Sequence, residues 1–321
     1  MFMLLLLLLP LSLYAMHEEP SVNEAMLAPW FTGPLLAPAA QCNSKGVTTW
    51  QPYIFVTSTF GEYDNHWHRQ NIPNIWSMTP FVNVTYGLGS FVDIEAAASI
   101  IYNYSQGSSA LRFTDWSLFL GFQALRDTPG TWKPNLRITL QQVFPFGQYD
   151  HLNPKKLGID GTGRGAYSTG VNFNFEKTFH YSPYKSLRIR WSLGYLFAVP
   201  VHIQGLSVYG GAPNTSGKVF PGQSFTGYLS GELQITQNWV FAFDTEYLIM
   251  RHDRFSGKPG TDESGRKASV GNPFSVLISI APAIEYNYTE NFGLIGGVWF
   301  TVAGKNATQF FGGTVSVVIN Y

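Results

Sequence analysis

The sequence predicts an all-β protein, a closed antiparallel transmembrane β-barrel of about twelve strands in an up-and-down meander. Three observations lead there. Only 12 % of the 321 residues are charged, about half the share of a soluble globular chain, too few to coat a freely soluble surface of this size. Mean hydropathy is nonetheless -0.01, and beyond the N-terminus no run reaches the roughly 20 apolar residues of a spanning helix. From Trp50 onward the chain instead repeats stretches of alternating apolar and polar residues, separated by Gly-, Pro- and Asn-rich breaks. That period of two marks strands whose faces meet different solvents.

Composition excludes other classes. With 25 Phe, 17 Tyr and 9 Trp the chain is not disordered. The single cysteine, Cys42, rules out a disulfide framework and a Cys-rich zinc site. Twenty basic against twenty acidic residues give zero net charge, so there is no electrostatic footprint for nucleic acid.

The elements follow in order. Residues 4–13 form an apolar run, broken by Pro10 and ending at Tyr14-Ala15 before His17, Glu18 and Glu19. Its length suits a secretory signal and is too short to span a bilayer, so 1–15 is read as a signal peptide. The basic residues that usually precede such a run are absent, so either the true start lies upstream or the signal is atypical. Residues 16–49 are read as a periplasmic linker or partial plug, the linker preferred. Within them 28–41 carries Pro29, Pro34 and Pro38 beside Trp30 and Phe31, which excludes a regular helix or central strand.

The barrel is assigned to 50–321. Val92, Ile94, Ala96, Ala98 and Ile100 share one face of 90–102, with Asp93, Glu95 and Ser99 on the other. The same alternation sets Val171, Phe173 and Phe175 against Asn172, Asn174 and Glu176. It sets Leu187, Ile189, Trp191 and Leu193 against Arg188, Arg190 and Ser192. Segments 225–235 and 239–249 repeat it, with Glu232, Asp244 and Glu246 on the polar face. Weaker versions at 50–60, 76–86, 112–124, 135–146, 274–287, 292–302 and 308–321 complete an even count, as expected of single-chain outer-membrane barrels. Short connections (87–89, 181–185, 236–238, 287–291) alternate with long ones (61–75, 146–166, 199–223, 251–272). Short periplasmic turns and longer outer loops are the asymmetry of such barrels, and both termini then fall on the periplasmic side.

The last strand ends in aromatic Tyr321, preceded at every second position by Ile319, Val317, Val315, Gly313 and Phe311. Phe311, Val315, Val317, Ile319 and Tyr321 are the expected assembly signal, read by a barrel-assembly machinery. Trp50, Trp76, Tyr86, Tyr102, Trp239, Tyr286, Tyr288 and Tyr321 fit interfacial girdles that meet lipid and lipopolysaccharide.

Twelve strands at about 4.8 Å spacing and roughly 40° tilt give a backbone diameter of about 24 Å, narrowed by side chains to about 10 Å. The expected lumen-lining residues are Asp93, Glu95, Glu176, Arg188, Arg190, Glu232, Asp244 and Glu246. Two arrangements are open: acids 93 and 95 facing bases 188 and 190 across the pore as a charged constriction, or local neutralisation, with Arg190 paired to Glu176 across the hairpin. The second is preferred.

Catalytic patterns are weak. His180 and Ser182 form an isolated His-x-Ser in a predicted turn, flanked by Tyr181 and Pro183, a poor match to barrel phospholipases. His66 and His68, near Glu62 and Asp64, read as a solvated aromatic loop rather than a metal site. No phosphate-binding loop, HExxH or GxSxG occurs. No catalytic residue, metal or cofactor is assigned.

Residues 4–15 together with 311–321 give the chain the look of a bacterial outer-membrane β-barrel over 50–321. The stretch 29–38, Pro-Trp-Phe-Thr-Gly-Pro-Leu-Leu-Ala-Pro, followed by Tyr53-Ile-Phe-Val-Thr, resembles the barrels grouped near the phenol meta-degradation pathway transporters. That resemblance implies passage of small organic, often aromatic, molecules across the outer membrane of a Gram-negative bacterium. The expected function is a passive outer-membrane channel or transporter for small solutes. The alternative is a surface barrel, adhesive or structural, acting through its long outer loops.

Overall fold

The computed structural model describes residues 29–182, 185–262 and 264–321; the expected signal peptide, 1–15, lies outside the described residues. Among the described residues sixteen strands follow one another. They are β1 (Thr48–Tyr63), β2 (Arg69–Gly87), β3 (Val92–Ser105), β4 (Ser108–Phe113), β5 (Trp116–Leu125) and β6 (Asn135–Phe144). After a single turn of 3-10 helix (Pro154–Lys156) come β7 (Ser168–Ser182), β8 (Lys185–Ala198), β9 (Val201–Gln204), β10 (Ser216–Phe220), β11 (Ser224–Gln234) and β12 (Trp239–Met250). The last are β13 (Arg254–Lys258), β14 (Ser275–Thr289), β15 (Phe292–Lys305) and β16 (Ala307–Asn320).

Twelve of these close an antiparallel barrel in meander order. β1 pairs with β2 on one side and with β16 on the other. The closing seam is pinned at its end by Tyr321, whose amide donates to Thr48 O at 3.0 Å and whose carbonyl accepts from Thr48 N at 2.7 Å. Closure leaves no unpaired edge, which is what allows a sheet to cross hydrocarbon.

The faces are inverted relative to a soluble protein. Asp93, Arg137, Glu176, Glu232, Asp244 and Glu285 are buried inside, whereas Ile54, Leu118, Leu193, Leu229, Phe241 and Val315 are exposed outside. Trp50 and Trp76, both exposed on the outer face, lie at register positions joined through Ser58 of β1. The eight residues from 50 to 58, rising about 3.4 Å each at roughly 40° tilt, separate the two aromatic levels by about 21 Å, close to the apolar band of such barrels.

The strands at the loop-rich end extend further than the alternation alone suggested. The predicted loop 61–75 is mostly strand, because β1 and β2 run on to Tyr63 and Arg69 past a register shift at Thr59/Gly61. The predicted strand 112–124 is two elements: β4 pairs only with β3 as a protruding hairpin, and β5 carries the barrel wall from Trp116. A bend at Thr114-Asp115 separates them, and Asp115 accepts hydrogen bonds from Gly147 N (3.0 Å) and Arg164 N (2.7 Å).

In two of the long loops, β9 and β10 (between β8 and β11) and β13 (between β12 and β14) form a second sheet. Ala166, Val201, Ile203, Tyr209 and Val219 make its own apolar core. Asp253 ties the loops together, accepting from Gly222 N (2.7 Å) and Asn272 N (3.0 Å) beside Arg164. Tyr209 adds a bond from its hydroxyl to Arg164 O at 2.6 Å, and burial pushes that hydroxyl up to about 12.

Candidate functional site

Three groups of polar side chains occupy the inner wall. In the first, Arg137 of β6 donates to Asp93 Oδ1 from Nε (3.1 Å) and Nη2 (2.8 Å), and to Glu95 Oε2 at 2.9 Å. Room for this triad is made by Gly121 of β5: a Cβ there would lie 2.1 Å from Asp93 Oδ1 and 2.5 Å from Arg137 Nε. Glu95 also accepts from Asn83 Nδ2 at 3.0 Å.

The second group joins β7, β8 and β11. Arg188 grips Glu232 with two bonds, Nε to Oε2 at 2.6 Å and Nη2 to Oε1 at 2.5 Å. Arg190 donates from Nε to Glu176 Oε2 at 2.7 Å. Cross-contacts of 3.8 Å (Arg188–Glu176) and 3.7 Å (Arg190–Glu232) make one alternating network of two bases and two acids. In the third group Asp244 accepts from Ser230 Oγ. Glu246 accepts from Tyr228 Oη (3.2 Å) and Ser279 Oγ (2.8 Å), and Ser279 Oγ accepts from Trp299 Nε1 at 2.9 Å.

All eight sequence-selected residues therefore have side-chain partners inside the barrel. Arg188 and Arg190 are brought together with Glu176 and Glu232, not set against Asp93 and Glu95, whose base is Arg137. Sequence reasoning passed over Arg137 and Glu285. Both were within reach: Arg137 alternates with Leu136 and Ile138, and Glu285 with Ile284 and Tyr286, in segments assigned as strands.

The chain before β1 meets these groups. Glu285 Oε2 accepts from Thr32 N at 2.7 Å. Asp244 accepts from Leu36 N and Ala37 N, both at 3.2 Å. Gln123 Oε1 accepts from Cys42 N at 2.6 Å and Asp93 Oδ2 from Asn43 N at 3.2 Å. The prolines at 34 and 38 leave no regular secondary structure to absorb these amides, so three acids and the Gln123 carboxamide on the wall take them instead. Phe31 lies against Arg188, guanidinium carbon 4.3 Å from the ring centre, a cation–π contact. Gly33, at φ +108°, lets the backbone pass the guanidinium of Arg190, which a Cβ would approach to 3.3 Å. Leu35 packs on Ala242, Ala281, Ala283 and Ile295 of the wall. Burial beside Asp93 raises the Cys42 thiol to about 11.

Between this segment and the wall lies a cavity of about 570 Å³. Tyr53, Phe55 and Phe81 form an aromatic part of its lining, with Glu95, Arg137 and Asn174 among the polar part.

Elsewhere the sequence-level candidates separate. His180 Nδ1 lies 2.9 Å from Ser186 Oγ, across the hairpin, rather than on Ser182. Asp64 accepts from His66 N (2.7 Å) and His68 N (2.9 Å), closing the turn at the tip of β1–β2; these amides hold its carboxyl below the usual range. Among the described residues no group of three or more His, Cys, Asp or Glu is arranged to hold a metal ion. Phe311 and Val315 of β16 and Tyr321 just after it are exposed, with Val317 and Ile319 of β16 half-buried.

No protein-family model and no curated protein matches the sequence. Among solved structures, an outer membrane channel from Pseudomonas putida F1 aligns with a TM-score of 0.65 at 12 % identity, over 88 % of this chain and 98 % of that one. The transport unit of the autotransporter AIDA-I from Escherichia coli gives 0.45 at 9 % identity, over 86 % and 91 %. The Pseudomonas putida toluene transporter TodX gives 0.37 at 10 %, over 87 % and 89 %. At such identities the likeness is one of fold, and the fold is that of a bacterial outer-membrane β-barrel.

Proposed function

We propose that the protein is an outer-membrane channel that passes small solutes passively through its lumen. The observation that carries this reading is the cavity of about 570 Å³ between the barrel wall and residues 31–43, large enough for a small organic molecule and lined by both aromatic and charged side chains. Asp93, Glu95, Glu176, Arg188, Arg190, Glu232, Asp244 and Glu246 are the proposed lumen-lining residues. Residues 29–46 act as a partial plug that narrows the route, held by hydrogen bonds rather than by covalent or sheet connections. Both termini are periplasmic. Phe311, Val315, Val317, Ile319 and Tyr321 present the assembly signal to the barrel-assembly machinery, and the outer face meets lipid and lipopolysaccharide.

Selectivity follows from the charge pairing. Arg137, Arg188 and Arg190 are each matched to a carboxylate within about one hydrogen bond, so little field remains from them to sort ions by sign. Asp244 and Glu246 have hydrogen bonds but, among the described residues, no base in ion-pair contact. A weak preference for cations is expected, together with passage of small neutral and aromatic solutes.

Reconstitution into liposomes with osmolytes of graded size and charge (glycine, arabinose, benzoate, lactose) tests this by swelling rate. Faster swelling for the small solutes than in protein-free liposomes, falling off toward lactose, is the expected result. Absence of permeability to all of them would favour the alternative, a surface barrel acting through its outer loops, which the self-contained core of the β9–β10–β13 sheet would suit.

A further inference from the structure

The strand register lays one row of inward residues around the lumen. Arg137 of β6 is opposite Asn174 of β7, which is opposite Ser192 of β8, then Tyr228 of β11 and Glu246 of β12. The ends of this row are spoken for: Arg137 by Asp93 and Glu95, Tyr228 by Glu246. Its centre is not. Asn174 is 1 % exposed, yet neither its amide nitrogen nor its amide oxygen has a hydrogen-bond partner among the described residues. The hydroxyl of Ser192 beside it is likewise buried and unpartnered among them.

A buried carboxamide with both ends unsatisfied is rare in native proteins, because desolvation of each end goes uncompensated. Asn174 also lines the cavity. The other side of that cavity has opposite chemistry. Tyr53 and Phe55 of β1 stack at 5.4 Å between ring centres, and Phe81 of β2 meets Tyr53 edge-on at 5.5 Å. In the order of strands around the barrel, β1-β2-β3-β5-β6-β7, the aromatic cluster and Asn174 stand nearly across from each other. The cavity thus carries an aromatic patch, set beside Gln51 and Asn83, on one wall, and on the other Asn174, whose buried amide is unpartnered among the described residues.

We infer that Asn174, supported by Ser192, is the hydrogen-bonding end of a solute-binding subsite. Its ligand is a neutral molecule with an apolar, flat body and one group carrying a donor and an acceptor side by side, as in a primary carboxamide. The chemistry is that of the side chain itself: an Asn amide presents a carbonyl acceptor and an N–H donor in one plane, so a matching group makes two parallel bonds. An ionised carboxylate can accept from the N–H but is repelled by the Asn oxygen. The neighbouring Arg137 and Arg190 are already neutralised by Asp93, Glu95 and Glu176, so they offer no compensation to an anion. The aromatic wall holds the flat body by stacking.

This inference rests on the reading of the lumen as a solute pathway, but its test does not require conduction. Full-length protein in detergent is examined by equilibrium dialysis against benzamide, against acetophenone, which has nearly the same shape without the donor, and against benzoate. The wild type is expected to bind benzamide about tenfold more tightly than acetophenone, with benzoate weakest. Asn174→Leu and Asn174→Ala should both lose that discrimination, benzamide falling to the acetophenone level. Heat-modifiable migration reports assembly of each variant, and the smaller Ala serves should Leu impair it. Equal binding of benzamide and acetophenone by the wild type, or unchanged benzamide binding in the Asn174 variants, overturns the subsite. A protein that binds benzamide in this pattern yet leaves liposomes impermeable would retain the subsite and lose the channel.

Discussion

Replacing Arg137 by Met removes the charge at the centre of the first wall cluster while keeping much of the side-chain volume. Three charge-assisted hydrogen bonds disappear, at 3.1, 2.8 and 2.9 Å. Asp93, fully buried, is left with the amide of Asn43 at 3.2 Å, and Glu95 with Asn83 at 3.0 Å. Two inward carboxylates then sit two residues apart on β3 without a base. Removing one partner from a buried ion pair costs about 3–5 kcal/mol. Water in the lumen tempers this toward the lower figure, so about 3 kcal/mol is expected, roughly a 150-fold fall in the folded-to-unfolded ratio. With a urea dependence of about 3 kcal/mol/M, the unfolding midpoint in lipid vesicles, followed by tryptophan fluorescence, drops by about 1 M. The origin of the loss is isolated by a triple variant, Arg137→Met with Asp93→Asn and Glu95→Gln. Replacing a whole buried ionic group by neutral side chains is often close to neutral, so the triple variant should regain most of the midpoint. A single variant within 1 kcal/mol of wild type, or a triple variant no better than the single one, would refute the argument that burial of unpaired charge sets the cost.

Three further outcomes can be checked. Asp244→Ala combined with Glu285→Ala removes the acceptors of Thr32, Leu36 and Ala37; it should loosen residues 29–46 and raise single-channel conductance in planar bilayers, and an unchanged conductance counts against the plug. Gly121→Ala drives a methyl to 2.1 Å from Asp93 Oδ1, a crowding worth about 1–3 kcal/mol, seen as a lower urea midpoint; an unshifted midpoint means that the ion pair has room to move. Cys42, whose thiol is raised to about 11 from 9.0, has only about 1 % thiolate at pH 9 against half for an ordinary thiol. Its alkylation by iodoacetamide in the folded protein should therefore be roughly 50-fold slower than in urea at pH 9, the gap narrowing as the pH rises toward 11; equal rates at pH 9 would contradict the burial of Cys42 beside Asp93.

Much of the barrel was legible in the chain because a strand's solvents are written at every second residue. Wherever one face of a strand met hydrocarbon and the other the lumen, as in Leu187, Ile189 and Trp191 against Arg188 and Arg190, the facing of each side chain followed from the alternation alone. The signal weakened where both faces leave the membrane. The upper parts of β1 and β2, the β4 hairpin and the β9–β10–β13 sheet were read as loops or merged with neighbours, since beyond the bilayer no lipid imposes the period.

The sequence by itself determined the wall: its strand number, the inward and outward faces, and the presence of acids and bases inside. It also carried the preference for pairing Arg190 with Glu176, because neighbours across a tight hairpin are set by local geometry. Tertiary structure alone decided the partners that come from elsewhere: Arg137 with Asp93 and Glu95, Asp244 and Glu285 with the amides before β1, and the burial of the Asn174 amide, unpartnered among the described residues. These contacts join residues from 42 to more than 250 positions apart, and only the closure of the sheet fixes which of them share a height in the lumen. Alternation states the face of a residue; the stagger of a closed barrel states its neighbour.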